Sequence, residues 1–508
     1  VTGRDLLVGV DVGTTRVKAV LLDLAGNELA DAAEPTPWLR LEDGSDLDPS
    51  TLADLVRTLV GRVGQAAADL DGRVVGVGTT GMGEAGVAVD ADGAPLAPIR
   101  AWFDRRADVD AVREAVGEDA FHRAVGMPLD AQPSLPKLVR MQREHPALRS
   151  AVRFYSVPEW AAVALGGSPG SEVSLASRTG LLDVATGRSW TAAADLLGAD
   201  LLGEPVLAGA HAGHVDAAGL PAAVLGAVLS VGGHDHQTAG MVAGAARDGM
   251  LFDSLGTAEA LLRFARLVPT PDLAAAAVAA GLTLGRTVVG GHACLLAGLR
   301  TGFGLERVAG ALGLTTRETR AALAAESLAL TGRRLASVAL EGEAVVLRLT
   351  DGVTPAEVWR SAVGDLVDAS ADVTDRMAAL VGPHSGTVAT GGWLANPMVR
   401  HAKAAQLAGL RVVRLHEAGA AGAAYFAAVA AGAMPEPAAL DGPPWPVGDD
   451  PADEPTAPPS PPAPTRTTGE PATAGGATTD GAPDRAPHPT DGSDAGRRAV
   501  PVPEREVP

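Results

Sequence analysis

Cysteine occurs once among the 508 residues, as Cys294. A lone thiol rules out an intramolecular disulfide and any zinc site built from several cysteines, and it fits a reducing cytoplasm. Aromatic residues make up only 3% of the chain, so its cores must be built from Ala, Val and Leu. Basic residues are in deficit: 41 Lys and Arg face 61 Asp and Glu, a formal net charge of -20. This argues against a nucleic-acid partner, whose phosphates call for clustered Lys and Arg. It does not argue against ATP, which needs only a local nest of backbone N–H groups. Long apolar runs are also missing. Leu6 to Val10 is too short, and too soon broken by Asp11, to serve as a signal peptide. Ala418 to Met434 is mostly Ala and Gly, and reads as a buried helix rather than a membrane span. What is present is 46% apolar residues, enough for two or three domains with at least two large cores.

The first segment alternates strand and turn signals. Leu6-Leu-Val-Gly-Val10 reads as a buried strand, and Val17 to Leu24 as a second, with a hairpin turn at Ala25-Gly-Asn27. Ser50 is expected to cap an amphipathic helix in which Leu52, Leu55, Val56, Leu59, Val60 and Val63 recur at helical spacing. Val74 to Val77 reads as a strand followed by a Gly-rich loop. Val87 to Val89 and the turn at Asp90-Ala-Asp-Gly93 read as a further hairpin. A comparable grammar restarts near Leu229, with strands at Met250 to Ser254 and Thr387 to Thr390, a helix around Asn396 to Leu407, and a last helix near Ala418. Strand, polar loop and helix used twice suggest two related α/β domains, 4–228 and 229–434. From Pro435 to Pro508 Pro, Thr, Asp, Gly and Ala dominate and apolar periodicity vanishes, as in a disordered tail.

Asp11-Val-Gly13-Thr14-Thr15-Arg16-Val-Lys18 directly follows a strand. A tight turn there presents backbone N–H groups and two hydroxyls to one point, with Arg16 or Lys18 available for charge. It is either a phosphate cradle or an ordinary hairpin with solvated charges. Asp11 at the strand end could hold Mg²⁺ through water, a hard cation that prefers oxygen. Ser254-Leu-Gly256-Thr257 repeats the device, and two facing Gly-Thr turns can clamp a triphosphate. Gly232-Gly233-His234-Asp235-His236 also follows an apolar strand, and a carboxylate there can accept the proton of an attacking alcohol. Adjacent strand residues point to opposite faces, which argues against a His-Asp-His metal cluster. Gly391-Gly392-Trp393 opens a loop before a helix, where Gly lets the backbone approach a ligand closely. Glu84 and the run Trp102-Phe103-Asp104-Arg105-Arg106 offer an aromatic face and hydroxyl partners for a sugar, or form charged surface turns. Gly76-Val-Gly78-Thr-Thr-Gly81 matches a dinucleotide fingerprint, but no helix is expected after it, so an NAD site is rejected.

The order of these motifs resembles the FGGY family of carbohydrate kinases across roughly residues 4 to 433. The matching segments are those at Asp11, Trp102, Ser174 to Asp183, Asp235, Ser254 to Thr257, Thr390 to Gly392, and Glu417 to Ala424. The resemblance implies two ribonuclease-H-like, actin-like ATPase domains with an interdomain cleft, followed by the tail. It implies an ATP-dependent kinase acting on a sugar or polyol, with a pentulose such as xylulose favoured. Asp235 would be the general base and Asp11 the metal-associated carboxylate. Gly13, Thr14, Thr15 and Arg16 would meet the transferred phosphate, Gly256 and Thr257 the phosphates from the other domain, and Gly391, Gly392 and Asn396 the adenosine. Glu84, Trp102, Asp104 and Arg105 would line the sugar pocket with Asp235. Cofactors ATP and Mg²⁺, a cytoplasmic location, and no membrane partner follow; a homodimer is a family-level expectation. Two departures stand out: Lys137-Leu-Val-Arg140 where the family often has Lys-x-Trp, and Ala258-Glu259 where it often has Ser. A carboxylate at 259 is unfavourable near phosphates unless it faces away or meets Mg²⁺. The competing readings are a catalytically silent sugar or nucleotide sensor and an actin-like ATPase.

Overall fold

The computed structural model describes residues 4–447, apart from 333, 343 and 415. Two six-stranded sheets dominate it. The first contains β1 (Arg4–Val12), β2 (Arg16–Asp23), β3 (Glu28–Pro35), β4 (Gly72–Gly81), β5 (His211–His214) and β6 (Val228–His234), in the order β5-β6-β4-β1-β2-β3. The second contains β7 (Met250–Leu255), β8 (Glu259–Ala265), β9 (Thr283–Arg286), β10 (Ala293–Leu299), β11 (Gly386–Thr390) and β12 (Leu410–Val412), in the order β9-β10-β8-β7-β11-β12. Each sheet has the same heart: an antiparallel meander of three strands whose first member continues into two parallel strands. The twice-used grammar in the sequence is this repeated sheet.

One face of the first sheet, through Leu6, Val8 and Val10, packs on helix α1 (Pro49–Asp69), which contributes Leu52, Val56, Leu59, Val60 and Val63. These are the apolar positions at helical spacing; Leu55 is half-buried at the edge of the cluster. The cap is Asp48, not Ser50: its Oδ1 accepts from Thr51 N–H at 2.7 Å. Pro49, with no N–H to satisfy, occupies the first helical position and moves the start upstream.

The opposite face meets the second half of the chain. Helix α2 (Asp235–Val242) leaves β6, helix α3 (Pro397–Gln406) precedes β12, and helix α4 (Ala418–Ala430) returns to lie on β1, β4 and β6. The small residues of β1 and β4 make that approach possible. A Cβ on Gly9 would stand 1.7 Å from Ala420 O, and one on Gly78 1.9 Å from Ala423 O. This explains why 78–81 is not the Gly-rich loop expected from the sequence but the end of β4: Gly78 is there for a helix, not for a turn. Leu7, Val20 and Leu22 of the first sheet share one buried cluster with Phe252, Leu262 and Phe264 of the second, and with Ala420, Tyr425 and Phe426 of α4.

Two expectations need correction, and one is extended. The hairpin at Asp90 forms, with Val89 bridging Pro95 and Leu96 N–H donating to Ala88 O at 3.0 Å, and the strand Gly86–Val89 also pairs along its length with Arg153–Ser156. The boundary at 228/229 falls at the start of β6, which completes the first sheet, so the switch between halves comes later. The tail is not structureless from Pro435. Residues 435–447 fold back, and Trp445 is buried against Tyr425 at 6.0 Å, with its Nε1 donating to Leu24 O at 3.1 Å. A lone aromatic in a Pro-rich stretch has a seat because Gly26, at φ 82°, leaves the hairpin turn open beneath it. The rest of that expected tail, 448–508, lies outside the described residues. No described helix is long and apolar enough to cross a membrane.

Candidate active site

The two loops that follow the first strand of each sheet are equivalent in position, 13–15 between β1 and β2 and 256–258 between β7 and β8. In the first, Gly13 N–H donates to Arg16 O at 3.1 Å and Thr36 Oγ1 donates to Gly13 O at 2.7 Å. Trp38 Nε1 donates to Thr14 O at 2.7 Å, and Trp102 Nε1 donates to Thr14 Oγ1 at 2.8 Å. Two indoles therefore fix the turn, and Trp102 is tied to the 13–15 loop while it borders a cavity. Thr15 and Arg16 are exposed, and Arg16 Nη2 reaches Ala33 O at 3.4 Å. Lys18 is paired with Glu417 at 2.6 Å.

Asp11 ends β1. Its Oδ1 is buried with no hydrogen-bond partner. Burial, reinforced by the negative charges of Asp235 and Glu417 and opposed by Lys18, pushes its carboxyl from the usual 3.8 up to about 7. An orphaned buried carboxylate facing a second carboxylate has the chemistry of a divalent-cation site. Among the described residues no cluster of three or more His, Cys, Asp or Glu could hold a metal.

Asp235 opens α2 at the end of β6. Its side chain is 26% exposed, and His236 N–H donates to its Oδ1 at 2.6 Å. His234 Nδ1 lies 3.3 Å away outside hydrogen-bond geometry; burial holds that ring below the usual imidazole range despite the neighbouring carboxylate. Asp235 borders a cavity of about 410 Å³ together with Thr14, Glu84, Trp102, Gln132, Arg178 and His236 from the first half. Ala258 to Ala260, Gly281 to Thr283 and Leu296 to Gly298 close it from the second half. Glu84 is buried at φ 57°, a left-handed conformation that aims a carboxylate into the cavity at the cost of local strain. It accepts from Arg178 Nε at 2.7 Å and from Gln132 Nε2 at 3.2 Å.

Asp104 and Arg105 are not brought to this cavity. Asp104 is buried and holds Arg106 at 2.7 Å and Ser45 N–H at 2.8 Å, and these partners keep its carboxyl below the usual range despite burial. Arg105 is exposed outside it. Trp102 is positioned by the loop that Asp104 pins.

A second cavity, about 790 Å³, is lined by Gly256, Thr257, Glu306, Thr315 to Arg317, Arg320, Gly392, Trp393 and Asn396. Gly391 sits behind its wall at φ 121°, where a Cβ would stand 2.1 Å from Leu255 O. Asn396 caps α3, its Oδ1 accepting from Met398 N–H at 3.0 Å. Arg320 lies over Trp393 at 5.3 Å and is held by Glu306 at 2.6 Å. The segment Gly256 to Ala260 is common to both cavities: Gly256 and Thr257 border the larger, Ala258 to Ala260 the smaller. Glu259 borders the smaller cavity but is fully buried and committed, accepting from Lys403 and from Ser370 Oγ at 2.9 Å. Lys403 also pairs with Asp253 at 2.8 Å. Burial pushes Asp253 up to about 7, and burial lowers Lys403 less than the two carboxylates raise it. The carboxylate that looked unfavourable is thus countered by a lysine 144 residues away.

Sequence reasoning missed Arg178, Gln132, Arg320 and Lys403 as site or supporting residues. Arg178 lies inside the Ser174 to Asp183 segment and was within reach; the others carry no local signal, because their roles arise only when distant elements meet.

Residues 6–241 match the FGGY family of carbohydrate kinases, N-terminal domain. The chain is 24% identical to a xylulose kinase of Staphylococcus epidermidis over 159 residues, 31% of either chain. It is 29% identical to the autoinducer-2 kinase of Escherichia coli K12 over 253 residues, 46% of either chain. The matched region thus spans under half of either curated relative's length. The fold of a xylulose kinase from Rhodospirillum rubrum superposes with a TM-score of 0.75 at 21% identity, covering 84% of this chain and 89% of that one.

Proposed function

Starting from a chain that belongs to the FGGY family of carbohydrate kinases, we propose that it transfers the γ-phosphoryl group of ATP to a hydroxyl of a sugar or polyol. The observation that carries this reading is the shared wall. One segment, Gly256 to Ala260, separates a cavity of nucleotide size from a smaller one that ends on Asp235. A group held at that wall from one side is within reach of an acceptor on the other.

The acceptor lies among Glu84, Trp102 and Gln132, with the hydroxyl to be phosphorylated against Asp235. Asp235 takes the proton as the oxygen attacks. Backbone N–H groups of Thr14, Thr15 and Thr257 meet the phosphates, while those of Gly13 and Gly256 close the turns, and Trp102 and Trp38 hold the first turn rigid so that little reorganisation is needed. Asp11 is the residue that would hold Mg²⁺, which when bound would supply charge neutralisation at the phosphates. Arg320 and Trp393 offer a flat surface for the base. Closure of the halves excludes water, the competing acceptor.

The test is ADP release from Mg-ATP with a panel of ketoses, polyols and sugar acids. Stimulation by a panel member is expected, and Asp235→Asn should lower it by about 10²–10⁴-fold with ATP binding kept. Near-normal turnover in that variant removes Asp235 from the base role.

A further inference from the structure

We propose that the buried Glu84–Arg178 pair makes the smaller cavity selective for uncharged polyhydroxy compounds over sugar acids; this assignment of substrate class rests on the kinase reading above. Arg178 is the arginine of that cavity, and its side chain is 7% exposed. Its charge is already paired with Glu84, which Nε and Nη2 both meet, and three of its five N–H donors are engaged. Nε donates to Glu84 Oε1 at 2.7 Å, and Nη1 donates to Thr283 Oγ1 at 2.8 Å on the opposite half. The neighbouring cation, Lys137, is 2% exposed and gives its three protons to the carbonyl oxygens of Glu84, Trp102 and Gln132, at 3.2, 3.1 and 2.5 Å. That amine fixes the three loops bearing cavity residues and has no donor left for a ligand.

An entering carboxylate would meet Asp235 and Glu84 with both nearby cations already engaged. Like charges brought together in a partly desolvated site disfavour binding strongly. A hydroxyl meets the reverse situation. It can donate to Glu84 or Asp235 and accept from Gln132 or Arg178, all without leaving a charge unpaired. Replacing Glu84 by Gln keeps the shape and removes the counter-charge. The charge of Arg178 then has no counter-charge in the cavity, and a guanidinium is the group that grips carboxylates bidentately.

Calorimetric titration of the whole chain with xylulose and ribulose, and with the matched acids xylonate and ribonate, separates the possibilities. ADP release is measured on the same samples. The neutral compounds are expected to bind at least about 100-fold more tightly than the acids. In Glu84→Gln the gap should narrow by at least about 10-fold, mainly through tighter binding of the acids. Acids bound as well as the neutral compounds by the wild-type chain, or binding of neither class, would overturn the inference. So would an unchanged preference in a Glu84→Gln protein that still unfolds cooperatively. Neutral compounds that bind selectively without provoking ADP release would remove the kinase reading and leave the selectivity standing. If the variant does not fold, the wild-type comparison decides alone.

Discussion

At the scale of the residue, Asp11 is held against its own ionisation. Burial, with Asp235 nearby and no partner for Oδ1, raises its carboxyl to about 7. A carboxyl that is harder to ionise when folded destabilises the fold once ionised. That penalty is absent below pH of about 4, where folded and unfolded forms are both protonated, and is complete above about 7. Asp11→Asn should therefore raise the melting temperature of the ligand-free chain at pH 8 by about 4 °C or more, with no difference at pH 4. Calorimetric scans at the two pH values check it; equal melting temperatures at pH 8 would deny the strain at this site. The placement of Asp11 near the end of β1 and of Asp235 just after β6 was legible in the sequence, because only the local pattern is needed for it. Asp104 was not. A Trp-x-Asp run shows polar groups near an aromatic ring, but nothing in it says that Arg106, two residues on, takes the carboxylate away from the cavity.

At the scale of the element, the glycines of the first sheet matter more than its apolar residues. The sequence shows a strand at Val74 to Val77 and then glycines, and local rules read glycine as turn. The helix that needs them, α4, lies some 340 residues later, so the reason is invisible to any local pattern. Gly9→Ala places a methyl 1.7 Å from Ala420 O and must push α4 off the sheet. It should destabilise the chain by about 3 kcal/mol, the upper part of the range for overpacking. Gly310→Ala is the control. That glycine sits in the helix Thr301–Ala311 with no atom within 4 Å of a new Cβ. It should be neutral or stabilising, by about 0.4–1 kcal/mol. Urea midpoints of the two variants should move in opposite directions, and a Gly9→Ala midpoint equal to wild type would mean that α4 does not lie on β1.

At the scale of the whole molecule, the two sheets were legible as a repeated grammar, but their dependence on each other was not. A reading by segments assigns α4 to the second half because it follows the second sheet. The structure uses it to cover the first, and the shared cluster joins Leu7 and Val20 to Phe252 and Phe264 through it. The first sheet cannot complete its core until nearly the whole chain has been made. A chain ended at residue 417 would leave the glycine face of β1 and β4 open and lose Tyr425 and Phe426, each fully buried. Side chains of that size contribute roughly 1.5–3 kcal/mol apiece on burial, so this shortened chain should show no cooperative melting transition. A chain ended at 447 keeps α4 and the seat of Trp445, and should melt within about 2 °C of the full chain. One ended at 434 keeps α4 but loses the indole that closes the hairpin turn, and should melt lower than the chain ended at 447. Scanning calorimetry of the three lengths decides. If the chain ended at 417 melts cooperatively near the full-length temperature, the first sheet holds its core without α4, and the two halves are independent domains after all.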